Sequence, residues 1–297
     1  MPSANKWLIL HDMAEKTEKQ KRLNPLNDYL FLKMLGEPGD EEQLLSFLNA
    51  VLADTRKYPL VLVEIVESRS LSAEIIGDKA SVLDVRANAS DGTKINIEVQ
   101  LKNLGNMDKR SLFYWSQEYT KSLAGGDDYE KLPNVIAINI VNFEYLETEG
   151  YHATFHLRED TERDYILTEA LEIHFIDMVK FKSVGQKDIK NDSLQRWLVW
   201  LDKDSPDEVI EEAMSMDAAI QRANERMDFV SQDKEALHAY HMRQMALSDW
   251  TSGVNHAFKT GKVEGKVEIA REMKADGVSM SQIVKFTHLS EDEITRL

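Results

Sequence analysis

Two runs of alternating residues, Ser81 to Ala89 and Lys94 to Leu101, constrain this chain more than any other feature, because the Asp91-Gly92 signal between them marks a hairpin. Successive strand residues point to opposite faces. In the first run Leu83, Val85, Ala87 and Ala89 share an apolar face, with Val82, Asp84, Arg86 and Asn88 opposite. In the second, Ile95, Ile97, Val99 and Leu101 lie opposite Lys94, Asn96, Glu98, Gln100 and Lys102. Both apolar faces must meet one core, and that requirement selects the register. A two-residue turn would pair Asp84 with Val99 and split the faces. A three- or five-residue connection, with Gly92 in a left-handed bulge position, pairs Asp84 with Glu98 or Gln100. Asp84 and Glu98 are therefore expected as close neighbours on one polar surface, with Gln100, Lys94 and Lys102 around them.

The rest of the chain surrounds this hairpin with both helices and strands. Polar residues up to about 23, including Lys16, Lys19, Lys21 and Arg22, read as an N-terminal arm ahead of the Asn24-Pro25 break. Leu30, Phe31, Met34, Leu35 and then Leu44, Leu45, Phe47, Leu48, Val51 recur at helical spacing around Gly36-Glu37-Pro38-Gly39, which predicts two helices. Tyr58 to Ser68 predicts a strand before the hairpin. A helix from about Asp108 to Leu123 and a strand from Asn134 to Phe143 follow it. That last run has no polar alternation, as expected of a strand buried on both faces. Tyr151 to Leu157 and Leu171 to Met178 are further strands. Beyond about residue 190 the pattern is helical, and the tail carries two capping-box signals, Ser279 to Gln282 and Ser290 to Glu293. The expected division is 1–23 arm, 24–200 α/β domain, 201–276 charged helical region and 277–297 short helical tail, the last a reduced helix-turn-helix or a packing element.

Composition narrows the chemistry. The absence of cysteine excludes a disulfide scaffold, thiolate zinc, iron–sulfur clusters and a cysteine nucleophile. No apolar run approaches the roughly 18 to 20 residues of a membrane helix, and a cytoplasmic location without membrane contact is expected. A net charge of −16 argues against nonspecific coating of nucleic acid, but leaves room for a local DNA site. Seven acids against Lys203 between Asp202 and Asp217 mark a face that is solvated or meets a basic partner. Walker, Rossmann and G-x-S-x-G patterns are absent. His238 and His241 have metal-compatible spacing but no companion cluster and read as surface residues, while His152 and His156, four apart on a predicted strand, share one side and read as structural.

Carboxylates on adjacent strands repel each other, and a hard divalent cation turns that repulsion into a binding site suited to phosphodiester hydrolysis. Two readings fit this surface. One is such a metal site. The other is the wet face of a hairpin with cross-strand ion pairs such as Arg86 with Glu98.

The strings FLKMLG, LLSFLNAVL, VLDVRANASDGTKINIEVQ, KRSLFYWSQEYTKSLAGGDDYEKLPNVIAINIVNF and KTGKVEGKVEIAREMKADG resemble the Rpn family of recombination-promoting nucleases, also classed as transposases, over roughly residues 24 to 297. The resemblance implies an α/β, restriction-endonuclease-like PD-(D/E)xK mixed sheet core flanked by helices, followed by a helical C-terminal region. It also implies a Mg²⁺-dependent DNA endonuclease, with Mn²⁺ or Ca²⁺ as other ions, tied to DNA recombination or phage defence. Asp84 and Glu98 stand where the family has its metal-binding acids, and Gln100 stands where the wider superfamily has lysine. Gln100 can orient a water but cannot be its base, so activation would fall to the metal, with Lys94 or Lys102 as candidate helpers.

On the helix after Glu98, Arg110, Tyr114, Gln117 and Lys121 share a face as supporting or phosphate-contacting candidates, while Leu112, Trp115, Tyr119 and Leu123 are expected to face the core. Asp28 on the first helix is a candidate third acid. A competing reading is a nuclease fold without turnover that binds a partner through its acidic helices. A strand-transferring transposase is a third reading. Self-association through the C-terminal helices, as a homodimer or as regulation, is a further expectation.

Overall fold

The computed structural model describes residues 22–66 and 84–297. The arm preceding Arg22, the end of the strand expected at Tyr58 to Ser68, and Ser81 to Leu83 of the first hairpin strand lie outside the described residues. Helices α1 (Asp28–Leu35) and α2 (Glu41–Val51) lead into β1 (Val63–Val66), β2 (Val85–Ala89) and β3 (Lys94–Gln100). Next come α3 (Met107–Thr120), β4 (Val135–Val141), β5 (His152–His156), β6 (Leu171–Asp177) and α4 (Met178–Ser183). The chain ends in α5 (Ser193–Leu201), α6 (Asp207–Met216), α7 (Ala218–Gln232), α8 (Lys234–Ala275), α9 (Met280–Thr287) and α10 (Glu291–Thr295).

The strands form one mixed sheet in the order β1-β2-β3-β4-β6-β5. The pairs β1/β2, β2/β3 and β5/β6 are antiparallel, while β3/β4 and β4/β6 are parallel. A parallel pair needs a crossover, and α3 supplies the one between β3 and β4. In the β2/β3 hairpin Val85 pairs with Ile97 and Ala87 with Ile95, so the apolar faces coincide as the alternation requires. The connection is the three-residue one: Ala89 N–H bonds Thr93 O, and Gly92 has φ +86°.

One face of the sheet carries the main core. Val85, Ile95, Ile97, Val99, Ile136, Ile138, Ile140 and Ile176 pack there beneath α1, α2, α5 and α7. Phe31, Phe47, Trp197 and Trp200 run through it as successive edge-to-face ring pairs. The opposite face packs Ala137, Val141, Ile173 and Phe175 against Met107 and Trp115 of α3. Every residue of β4 is buried, as a strand covered on both sides must be.

Two sequence expectations need correction. The predicted strand at Tyr58 to Ser68 reduces, among the described residues, to Val63–Val66. The helix after Glu98 ends at Thr120, and Leu112 is 47% exposed instead of core-facing. Its sheet side is Met107, Ser111 and half-buried Trp115, whose indole N–H donates to the carbonyls of Val135 and Ala170. The charged stretch after Asp207 is three helices. Asp217 caps α7 through the Ala219 N–H, and Asp233 separates α7 from α8.

The described residues divide into two compact units, one ending at His241 and the other running from Met242 to Leu297. In the second, Ala270, Ile283, Leu289 and Ile294 form a small core, and Lys274 Nζ donates to Ile294 O at 3.0 Å. Ser290 and Glu293 form the capping box read from the sequence, whereas the Ser279 side chain makes no cap bond. No described helix is long and apolar enough to cross a membrane.

Candidate active site

Extending the hairpin register by one pair sets Asp84 opposite Glu98, on the face away from the main core. The alternative reading of a wet hairpin face fails here, because α3 covers it: Glu98 is 2% exposed and Asn96 is also buried. The cross-strand pair of Arg86 with Glu98 does not form either. Glu98 Oε1 instead accepts from Arg110 Nε and from Gln100 Nε2, each at 2.6 Å. Arg86 turns to Asp84, with Nε 3.3 Å from Oδ2, and its NH1 lies 3.8 Å from Glu118 Oε1. Lys121 Nζ closes the series on Glu118 at 2.7 Å.

Three carboxylates and three cations are thus interleaved, and each acid is shaped by its surroundings. Burial pushes the Asp84 carboxyl up from its ordinary value, against the opposing charge of Arg86, and nearby Glu118 pushes it the same way as burial. Burial likewise raises Glu98, opposed by Arg110 and Gln100 and reinforced by Asp84. Desolvation also raises the Tyr114 hydroxyl, whose ring lies under the Arg110 guanidinium at 5.3 Å.

The structure brings together Asp84, Glu98, Gln100, Arg110 and Tyr114, with Lys121 reaching the group through Glu118. It does not bring in the others to the same degree. Gln117 is exposed. Lys94 begins β3, four residues and roughly 13 Å of strand from Glu98. Lys102 lies past the end of β3. Asp28 is buried at the start of α1, where its Oδ1 accepts the Tyr29 N–H, and α1 packs on β3.

Sequence reasoning missed Glu118, Asn96, Ser111 and Asn139. Asn139 sits beside Glu98 on β4 and donates to Ser111 Oγ at 2.9 Å, which fixes α3 against the sheet. The signal for Asn96 was the strand period that placed Glu98. Glu118 follows Arg110 and Tyr114 at helical spacing.

Among the described residues no group of three or more histidines, aspartates and glutamates is arranged to hold a metal. The donor set nonetheless fits a hard cation of Mg²⁺ type, which takes one or two carboxylates and completes its octahedron with water and phosphate oxygens. Asn96 Oδ1 is a buried oxygen on the same face without a hydrogen-bond partner among the described residues.

A mixed sheet with strand-borne acids under a crossover helix is the core arrangement of PD-(D/E)xK nuclease folds. The model of the PD-(D/E)XK nuclease family transposases matches residues 25–257, and the chain belongs to that family. Comparison with curated proteins and with solved structures found no match.

Proposed function

We propose that this protein is a Mg²⁺-dependent DNA endonuclease acting in recombination or phage defence in the cytoplasm, with Asp84 and Glu98 as metal ligands. The observation that carries this reading is the placing of half-buried Asp84 opposite buried Glu98 on neighbouring strands, with Arg110 and Gln100 on Glu98, in a nuclease-family chain. A divalent ion bound there supplies Lewis-acid stabilisation of the phosphate and a more acidic water. Gln100 orients by hydrogen bonding and holds no proton to exchange at neutral pH. Arg110 offers a fork of N–H donors to a phosphate oxygen, and Lys121 adds positive charge at the rim. Lys94, Lys102 and Gln117 belong to the outer DNA path in this reading, Asp28 to a supporting acid, and the C-terminal helices to self-association.

Plasmid nicking and linearisation with Mg²⁺, Mn²⁺ or EDTA tests the proposal. Cutting should require metal and vanish in folded Asp84→Ala and Glu98→Ala variants. Absence of cutting by folded wild type with either metal would overturn it.

One observation favours a second reading, a binding protein that acts through acidic helices. A cavity of about 320 Å³ lies among Arg22, α6 and α7, with Asp207, Glu211 and Asp228 beside the apolar Ile210, Met214 and Met227. A basic amphipathic segment would suit that lining, and a wild type that never cleaves would move the assignment there.

A further inference from the structure

We propose that Arg110 is a built-in counter-cation which a divalent metal displaces from Glu98, and that the released guanidinium then becomes a DNA phosphate contact. This inference rests on the nuclease reading above and assigns Arg110 two successive partners.

Accessibility is the first argument. The Glu98 side chain is 2% exposed and that of Arg110 21%, so the guanidinium lies on the solvent side of a buried carboxylate. A group that exchanges with solvent ions has to sit on that side. The second argument is where Arg110 is held when it leaves. Its guanidinium rests over the Tyr114 ring at 5.3 Å. Stacking engages the face of the cation and leaves its N–H edge available for a phosphate oxygen.

The third argument is the contrast with Arg86. That side chain is shared between Asp84, at 3.3 Å, and Glu118, at 3.8 Å. Its Nε is buried without a hydrogen-bond partner among the described residues. Loss of Asp84 to a metal leaves Arg86 with Glu118, so it remains inside the site. Arg110 has no second carboxylate of this kind among the ion pairs described, and it is therefore the charge that moves outward.

Charge balance gives the direction. Asp84, Glu98 and Glu118 are matched by Arg86, Arg110 and Lys121. Addition of a divalent cation leaves the cluster doubly positive, and each anionic phosphodiester that binds removes one of those charges, the first where Arg110 has turned out. Metal and DNA should then bind with positive coupling, each strengthening the other by the same factor.

The test uses the full chain. Mn²⁺ affinity is measured by calorimetry, and duplex affinity by fluorescence anisotropy with Ca²⁺ or EDTA, for wild type and Arg110→Met. Ca²⁺ should raise wild-type DNA affinity roughly fivefold or more. Arg110→Met should bind Mn²⁺ more tightly than wild type, because its internal competitor is gone, and should lose the Ca²⁺-induced gain. A residue that merely orients Glu98 would give the opposite sign, weaker Mn²⁺ binding. Weaker or unchanged Mn²⁺ affinity in folded Arg110→Met, or a retained gain in DNA affinity, overturns the proposal. If Arg110→Met does not fold, Arg110→Gln keeps a donor to Glu98 without the charge and is read by the same signs. Wild type that binds no Mn²⁺ removes the nuclease reading itself. Mn²⁺ binding that depends on Asp84 and Glu98 but ignores Arg110 removes only the exchange.

Discussion

His152 Nε2 lies 2.9 Å from His174 Nδ1, and the other ring nitrogen of His174 lies 2.7 Å from Glu172 Oε1, on the sheet face opposite Asp84 and Glu98. The register fixes that side: Ile97, Ile138 and His174 form one row across the sheet, and Glu98, Asn139 and Phe175 form the next. His174 is fully buried, so a core position at this edge is filled by a hydrogen-bonded polar chain. The spacing of His152 and His156 showed only that they share a side.

This network predicts acid sensitivity that is separate from activity. Burial, and then the neighbouring His174, lower His152 from 6.5 to about 4. The unfolded chain therefore binds the extra proton first, and the stability contributed above pH 6.5 is lost as pH falls toward 4. Glu172 acts in the same sense: burial pushes it up, but bonds from His174 and Thr55 outweigh that and hold it below its ordinary value. At roughly 1.4 kcal/mol per pKa unit the histidine effect is a few kcal/mol. Urea melts should show wild type losing stability between pH 6.5 and 4.5 more steeply than His152→Gln, and equal slopes would refute the linkage.

The acids of the candidate site should behave in the opposite way. Asp84 and Glu98 are raised by burial, so the stability they contribute is present below their unfolded values and is lost as pH rises through the folded ones. Asp84→Asn and Glu98→Gln should then melt no lower than wild type at pH 8, with any difference in their favour shrinking toward pH 5. Cleavage should be lost in both. A large drop in melting temperature at pH 8 would mean that these side chains are chiefly structural.

The shared face was legible because a period of two, an Asp-Gly turn and one core put Asp84 on the same side as Glu98 and Gln100, while the choice of Glu98 as its partner came from the three-residue connection. The helix above them was not. Its rotation is set by Ser111 bonding to buried Asn139, a polar contact that no apolar count detects, so Leu112 was placed inward and lies outward. The same rotation turns Arg110 onto Glu98, which only the wet-face reading had given a partner, Arg86. Electrostatic partners on different elements have no period to reveal them. The family match over residues 25–257 carried the fold further than pattern alone.

Gly36 predicts a cost where α1 ends against the sheet. A Cβ there would stand 2.5 Å from Leu32 Cδ1 and 2.8 Å from Val85 Cγ2. Val85 is buried and adjoins Asp84, so Leu32 and Val85 would have to shift within a packed core. Gly36→Ala should destabilise by about 1–3 kcal/mol, the usual cost of overpacking, as read by denaturant midpoint. A neutral result would show that Leu32 repacks freely.

Asn139 offers the most direct test of how α3 is held over the site. Its Nδ2 donates to Ser111 Oγ at 2.9 Å and to His174 O at 3.0 Å, with both side chains buried beside Glu98. Asn139→Ala leaves Ser111 unpaired and should cost about 1–3 kcal/mol. Removing both polar partners, as in Ser111→Ala with Asn139→Leu, should recover much of that loss, because no buried donor is then stranded. Stability and function should part in the double variant: it melts near wild type, yet α3 has lost its polar register and Arg110 its fixed approach to Glu98. DNA cleavage should remain well below wild type. Recovery of both together would show that apolar packing of Met107 and Trp115 is enough to seat the helix.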